Sequence, residues 1–214
     1  MNKPGQVFII SGPSGSGKDT LIKALMEKRP EIKLSVSSVT RAPRPGELNG
    51  SHYNFITKDE FLRMLDNGEF LEYNTYLGNY YGTPRAQVEA WLQSGADVIL
   101  EIDVNGAGHV KKKLPDAVSI FVMPPSMREL GERLAGRRTE DEETAQKRLL
   151  EALREMECAG SYDYIIINDR LQNAVRQLEC VVEAQGCRAE NMTETVKGVL
   201  KDAQSVNWQT SQNV

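Results

Sequence analysis

The sequence predicts an α/β domain built on a doubly wound parallel sheet, and three observations carry that prediction. Apolar runs of strand length alternate with helical patterns to about residue 184. One run, Val7-Phe8-Ile9-Ile10, feeds into a glycine-rich turn, and others near 98–103, 118–123 and 162–167 are almost continuously apolar, as strands buried on both faces are. A stretch from about 50 to 83 interrupts the alternation and is dense in aromatic residues, which predicts a small inserted α+β subdomain.

The first unit is strand, loop and helix. Gly12-Pro13-Ser14-Gly15-Ser16-Gly17-Lys18 fits G-x-x-x-x-G-K, and Leu21, Ile22, Leu25 and Met26 then line one side of a helix. Glycines let the backbone fold back so that successive N–H groups converge on an anion. The helix adds the positive end of its dipole, and Lys18 reaches the outer phosphates as a point charge. Asp19 stands where Ser or Thr ordinarily holds Mg²⁺, and Thr20 follows one place late. Either Asp19 meets the metal through water, or it points away and Thr20 takes up the phosphate contact. Adenylate-kinase-like loops share this order.

Residues Ile32 to Ser38 alternate and predict one strand, ending in the hydroxyl cluster Ser35, Ser37 and Ser38. In Val39-Thr40-Arg41-Ala42-Pro43-Arg44-Pro45-Gly46 the prolines hold the loop extended, and Arg41 and Arg44 suit a second phosphate or a solvated turn equally. Tyr53 to Ile56 predicts a strand and 58–67 a helix capped by Thr57; 69–74 and 79–83 predict further strands. Tyr53, Glu72, Tyr81 and Thr83 carry polar tips able to orient a planar ligand, or simply form a small core.

Pro84 at the first helical position starts a helix to about Ser94, with Gly95 past its end. The strand at 98–103 ends in Glu101 and Asp103, on the edge where open α/β sheets bind ligands. Asp103 is thus a candidate Mg²⁺ partner through water, or the N-cap of the helix from about Asn105; the two are compatible. The helix ends in Lys111-Lys112-Lys113, complementing its dipole. After strand 118–123, Ser126 caps a helix to about Ala135. Gly136 breaks it, and Thr139 with Glu142 makes a capping box for a helix to about Ala159. Arg133, Arg137, Arg138 and Arg148 flank the break, as a phosphoryl-transfer lid requires, or pair with Glu140 to Glu143. A last buried strand, 162–167, leads through Asn168 to a helix at 171–184. The remainder is polar, with a helix around 194–203.

The 214 residues, 40% hydrophobic and 26% charged, are ordinary for one α/β domain with an insertion. A net charge of −4 argues against nucleic acid or acidic membrane as a partner. No apolar run is long enough to be a signal or a span, so a cytoplasmic location is expected. Cys158, Cys180 and Cys187 lack metal spacing and predict free thiols, and His52 and His109 are too few for a histidine metal site. Two phosphate-handling loops suggest a P-loop kinase acting on a nucleotide donor and a phosphorylated acceptor, with acceptor specificity in the insertion.

With these motifs in place, the chain closely resembles the bacterial guanylate kinases from about Val7 to Ala184. The matches are Gly12 to Lys18, Ser37 to Glu47, Gly78-Asn79-Tyr80-Tyr81-Gly82-Thr83, Glu101-Ile102-Asp103, Pro124-Pro125-Ser126 and Tyr162-Asp163-Tyr164. The resemblance implies a kinase domain over 1–186 (core 1–36 and 96–186, GMP-binding insertion about 37–95, lid about 133–148) and a polar tail at 187–214. It implies transfer from ATP to GMP, and to dGMP, with Mg²⁺. It places ATP on Gly12, Pro13, Ser14, Gly15, Ser16, Gly17, Lys18, Asp19 and Thr20, with Asn168 near the adenine. It places the GMP phosphate on Arg41, Arg44, Tyr53 and Tyr81. Glu72 would read guanine beside Ser37 and Thr83, with Asp103 also in the GMP set. Lys18, Arg41, Arg137 and Arg148 would be catalytic. Lys18-Asp19 departs from the family's Lys-Ser and is reminiscent of ribosyl bisphosphate phosphokinases; a non-catalytic guanylate-kinase-like binding module is the other alternative.

Overall fold

The structure, a computed structural model, describes residues 5–76, 78–135 and 142–205. Strand β1 (Val7–Ser11) is the middle of a five-stranded sheet. Its parallel neighbours are β7 (Val98–Glu101) and β8 (Val118–Met123). The outer places belong to β2 (Lys33–Leu34) beside β7 and β9 (Tyr164–Ile167) beside β8, also parallel. Side chains alternate across a strand, and β1 uses both faces. Phe8 and Ile10 pack with Leu21, Ile22 and Leu25 of α1 (Lys18–Lys28) and Leu178 and Val182 of α7 (Leu171–Gly186). Val7 and Ile9 pack on the other side, with Val88 of α3 (Arg85–Gln93) and Val110 of α4 (Val104–Lys113). Two helical layers on one parallel sheet are the predicted architecture, and they account for the unbroken apolar runs in β1, β7 and β8.

A second sheet has the order β4-β3-β6-β5. It comprises β3 (Ser38–Val39), β4 (Asn54–Phe55), β5 (Phe70–Tyr76) and β6 (Asn79–Pro84), and α2 (Lys58–Asp66) packs on it through Phe61 against Phe70 and Tyr80. Its strands end at Pro84; α3 packs instead on the first sheet. The single strand expected at 32–38 is divided between the sheets. Ser35 N–H still bonds to Ile99 in the first, whereas the Ser37 carbonyl accepts from Asn54 in the second. Alternation in sequence cannot say which sheet a residue joins.

The capping residues act as expected: Thr57 Oγ1 accepts from Glu60 N–H, Ser126 Oγ from Glu129 N–H and Asp103 Oδ1 from Gly106 N–H. Pro84 sits at the N-cap, one place before the position assigned to it. Helix α5 (Met127–Ala135) and helix α6 (Glu142–Glu157) share a small core of Leu130, Leu134, Leu149 and Ala152. Thr139 of the expected capping box, Arg137 and Arg138 lie outside the described residues, and Glu142 begins α6. The C-terminal part contains α8 (Thr193–Ser205).

β9 differs from its expectation as a buried strand. It is an edge, with Ile166 in the core but Ile165 and Ile167 48% and 45% exposed. α7 covers one face only, and apolar composition does not reveal that. The entry to β9 is fastened by Asp163, whose Oδ2 accepts from Ser119 N–H and Oγ–H (both 2.8 Å) and from Lys111 Nζ (2.6 Å). Asp163→Ala strands the Ser119 N–H and should lower unfolding stability by about 1–3 kcal/mol; an unchanged urea midpoint would show that β9 does not depend on this strut.

Candidate active site

The chain must reverse at the end of β1, and two glycines make that possible. Gly12 has φ +153°, and a Cβ there would lie 2.3 Å from the Val122 carbonyl oxygen. Gly17 has φ +86° as the N-cap of α1, and a Cβ there would lie 2.5 Å from Asn168 Nδ2. Other parts of the chain hold the loop from outside. The Ser16 carbonyl accepts from Asn168 Nδ2 (2.8 Å) and Arg133 Nη1 (3.3 Å). Arg133 also donates through Nη2 to the Asn168 carbonyl (3.1 Å) and to Glu129 (2.7 Å). Arg148 of α6 donates to Ser14 Oγ at 2.6 Å. The loop is therefore a rigid cradle, presenting the unpaired first-turn N–H groups of α1 to an anion.

Lys18 stands over that cradle with Nζ 3.7 Å from Asp19 Oδ1 and 3.7 Å from Glu101 Oε1. Register explains the second contact, because Glu101 ends β7 opposite Ile10 of β1. Burial pushes the Glu101 carboxyl up to about 7, and a hydrogen bond shared with Asp19 adds to the rise while Lys18 opposes it. Among the described residues no three His, Cys, Asp or Glu side chains come together as a metal cage. Mg²⁺ bound to nucleotide phosphates keeps several waters and needs only one or two carboxylates. Asp19 with Glu101 fits that donor set. Asp103 is otherwise engaged, with Oδ1 capping α4 and Oδ2 accepting from Asn74.

The arginine–proline loop lies on the second sheet. The Arg41 guanidinium is 5.0 Å from the Tyr53 ring centre and 5.6 Å from that of Phe55, and Tyr53 meets Tyr81 edge-on at 6.2 Å. Tyr81 also acts on the Arg41 charge. Arg41, Tyr53 and Tyr81 thus form one cluster. Arg44 joins it through its backbone N–H, bonded to Glu47, which also grips Arg41.

Two strands along lies a buried carboxylate. Glu72 is 6% exposed and Thr83, its partner across β5 and β6, is fully buried. Thr83 Oγ1 donates to Glu72 Oε1 at 2.6 Å. An irregularity in the ladder between Phe70 and Glu72 separates Phe70, stacked on Phe61, from Glu72; bulges commonly re-aim a side chain in this way. Glu72 lies over the first turn of α4, where a Cβ on Gly106 would come within 2.8 Å of its Oε2. Burial pushes the Glu72 carboxyl up to about 7, with Asp103 raising it further and Thr83 and Lys113 opposing. Ser37 is half-buried beside this sheet.

Sequence reasoning left out four residues that the fold brings to this cleft. Glu101 was visible only as the end of a strand, and Arg133 only as one of four lid arginines. Gly106 gave no signal, since a helical glycine does not name its neighbour. Glu155 of α6 carries a carboxyl raised to about 7 by burial and Glu151, with Lys18 lowering and Asp103 raising it. Perturbed carboxyls gather here, as they do at functional sites.

Comparison with known proteins gives the same direction. A sequence profile described as guanylate kinase matches residues 4–185. The chain is 47% identical over 195 residues to the guanylate kinase of Desulfitobacterium hafniense (strain Y51), covering 91% of this chain and 98% of that one. It is 42% identical over 205 residues to the guanylate kinase of Oceanobacillus iheyensis, covering 96% and 100%. Its fold is similar to the crystal structure of guanylate kinase from Anaplasma phagocytophilum, with a TM-score of 0.74, 33% identity and coverage of 88% and 90%.

The Glu72 environment is directly measurable. A carboxyl NMR titration of the free protein should place its midpoint near 7. Thr83→Val removes a donor that favours the ionised form and should move the midpoint higher. A midpoint in the ordinary glutamate range would contradict the burial of this group.

Proposed function

The chain belongs to the guanylate kinase family, and from that premise we propose how its residues divide the work of phosphoryl transfer. The enzyme transfers the γ-phosphoryl group of ATP to GMP, giving ADP and GDP. The observation that carries the residue assignment is the buried Glu72–Thr83 pair, which faces the same cleft as a complete phosphate loop.

Glu72 reads the base. Guanine presents N1–H and N2–H₂ side by side, and an ionised carboxylate accepts both. Adenine offers an acceptor at N1 and no 2-amino group, so the same carboxylate meets an unpaired edge, and discrimination of roughly 10⁴-fold is within reach of such a site. Thr83 orients the carboxylate, and Ser37 lies beside it. Arg41, Arg44, Tyr53 and Tyr81 hold the acceptor phosphate. dGMP has the same base and phosphate, so these contacts serve it too.

Chemistry then needs position and charge, and no general base, because a phosphate oxygen is already a nucleophile. Arg41 and Arg44 offset the acceptor's charge so that its oxygen can approach the γ-phosphorus. The loop from Gly12 to Gly17 and the first turn of α1, with Asp19 and Thr20, cradle the ATP phosphates, and Lys18 reaches the outer ones. Arg148, already at Ser14, and Arg137 stabilise the transferring group, and the lid excludes water. Asn168 supports the ATP side by bracing the Ser16 carbonyl. Asp19 and Glu101 would hold Mg²⁺ through water, and the metal supplies charge neutralisation on the phosphates. Among the described residues no helix is long and apolar enough to cross a membrane. A cytoplasmic location agrees with three unpaired thiols and with nucleotide substrates.

ADP release should follow addition of GMP and not of AMP or ribose 1,5-bisphosphate; turnover with the ribose compound alone would overturn the acceptor assignment. Glu72→Gln should lower kcat/KM for GMP by about 2–3 kcal/mol and leave ATP affinity nearly unchanged. GMP binds the ionised carboxylate, so kcat/KM for GMP should fall as pH drops through about 7. That limb should shrink in Glu72→Gln, leaving the ionisation of the GMP phosphate at about 6 and of the raised Glu101 and Glu155 carboxyls; an unchanged profile would show that Glu72 is not the group that titrates. Arg137→Ala should depress kcat far more than GMP affinity, and equal losses in both would remove it from the transferring phosphoryl.

A further inference from the structure

Glu47 carries no role in the assignment above, yet it organises the arginine–proline loop. Pro45 and Gly46, with φ +86° at Gly46, form the corner of a tight turn closed by Glu47 N–H to the Arg44 carbonyl at 3.0 Å. The turn folds the Glu47 side chain back over the loop. Its Oε2 accepts from Arg44 N–H at 2.7 Å and from Arg41 Nη1 at 2.6 Å, and its Oε1 accepts from Arg41 Nη2 at 2.8 Å. Neighbouring residues of the loop are exposed, but the Arg41 and Glu47 side chains are only 13% and 17% exposed. Isolated surface pairs contribute little, whereas a bidentate, shielded pair with a third donor fixes geometry.

The geometry decides which edge of Arg41 is occupied. A guanidinium presents two bidentate edges, one between its two Nη atoms and one between Nε and Nη. Glu47 takes the first, and Nη1 also donates to the Ala42 carbonyl at 3.0 Å. Nε is buried and meets no acceptor among the described residues.

We infer that Glu47 is a positioning residue for GMP: by clamping the Nη1–Nη2 end of Arg41 it fixes the plane of the guanidinium that meets the acceptor phosphate. This rests on the reading of Arg41 as a ligand of that phosphate. Glu47 also links Arg41 to Arg44 through the Arg44 N–H.

The test is a double-mutant cycle with steady-state kinetics on the full chain. Glu47→Gln should raise the KM for GMP about tenfold and leave the KM for ATP unchanged. Arg41→Lys keeps the charge and loses the fork, and should raise the same KM. Adding Glu47→Gln to Arg41→Lys should then change the GMP KM less than about twofold, because the clamp has no fork left to hold. An undiminished Glu47→Gln effect on the Arg41→Lys background would overturn the proposal, since Glu47 would then act through the loop fold alone. A lowered GMP KM in Glu47→Gln would also overturn it, showing that the carboxylate competes with the phosphate. An unchanged GMP KM in Glu47→Gln, with a raised one in Arg41→Lys, would sink the clamp and keep Arg41 as the phosphate ligand. No change in either variant would sink both.

Discussion

The Ser16 carbonyl is where three separate parts of the chain meet. It receives the Asn168 amide from the end of β9 and the Arg133 guanidinium from α5, and its own loop begins at the end of β1. A glycine-rich loop has conformational freedom to lose, and a cradle that must wait for its anion cannot lose it to the anion alone. Bonds from outside remove that freedom in advance. They also impose order on the fold: β9 must lie beside β8 for Asn168 to reach Ser16, and α5 must pack through Leu130 and Leu134 for Arg133 to do so. The glycine at 17 follows from the same constraint, since a side chain there would collide with the Asn168 amide.

Around that cradle the cleft is acidic at rest. Glu72, Glu101 and Glu155 all have carboxyls raised toward 7, each chiefly by burial. A site without its substrates therefore carries fewer full charges than its residue list implies. On the proposed assignment, guanine donors at Glu72 and a cation near Glu101 would each favour the ionised form of their carboxylate, coupling proton release to substrate binding. Free energy that the fold spends on desolvating these acids returns as selectivity for ligands that can satisfy them.

The arginine side is built the opposite way. Arg41 is paired before any ligand arrives, and Glu47 is held down to about 2 by the hydrogen bonds from Arg41, with the Arg44 N–H adding to the fall. The two halves of the cleft thus use different devices. On the proposed assignment, base recognition would rest on a carboxylate whose charge is costly until its partner comes, and phosphate recognition on a guanidinium already paired on one edge.

How much of this was legible in residues alone depends on the range of the interaction. The α/β class, the phosphate loop and the helix caps at Thr57, Asp103 and Ser126 were readable, because each is encoded within a few positions by periodicity, by glycine and proline, or by a motif. Of the two compatible roles read for Asp103, the cap on α4 is visible, since Gly106 N–H is only three residues away. What the sequence could not express were relations between distant segments: that 32–38 serves two sheets, that β9 is a half-covered edge, that Glu101 stands beside Lys18, and that Gly106 is small because Glu72 lies against it. Local pattern reports which face of a strand is apolar, but not which strand becomes its neighbour or what covers it. Those outcomes depend on how the layers stack, and only the tertiary structure decided them, since a contact between remote residues leaves no periodic trace in either partner.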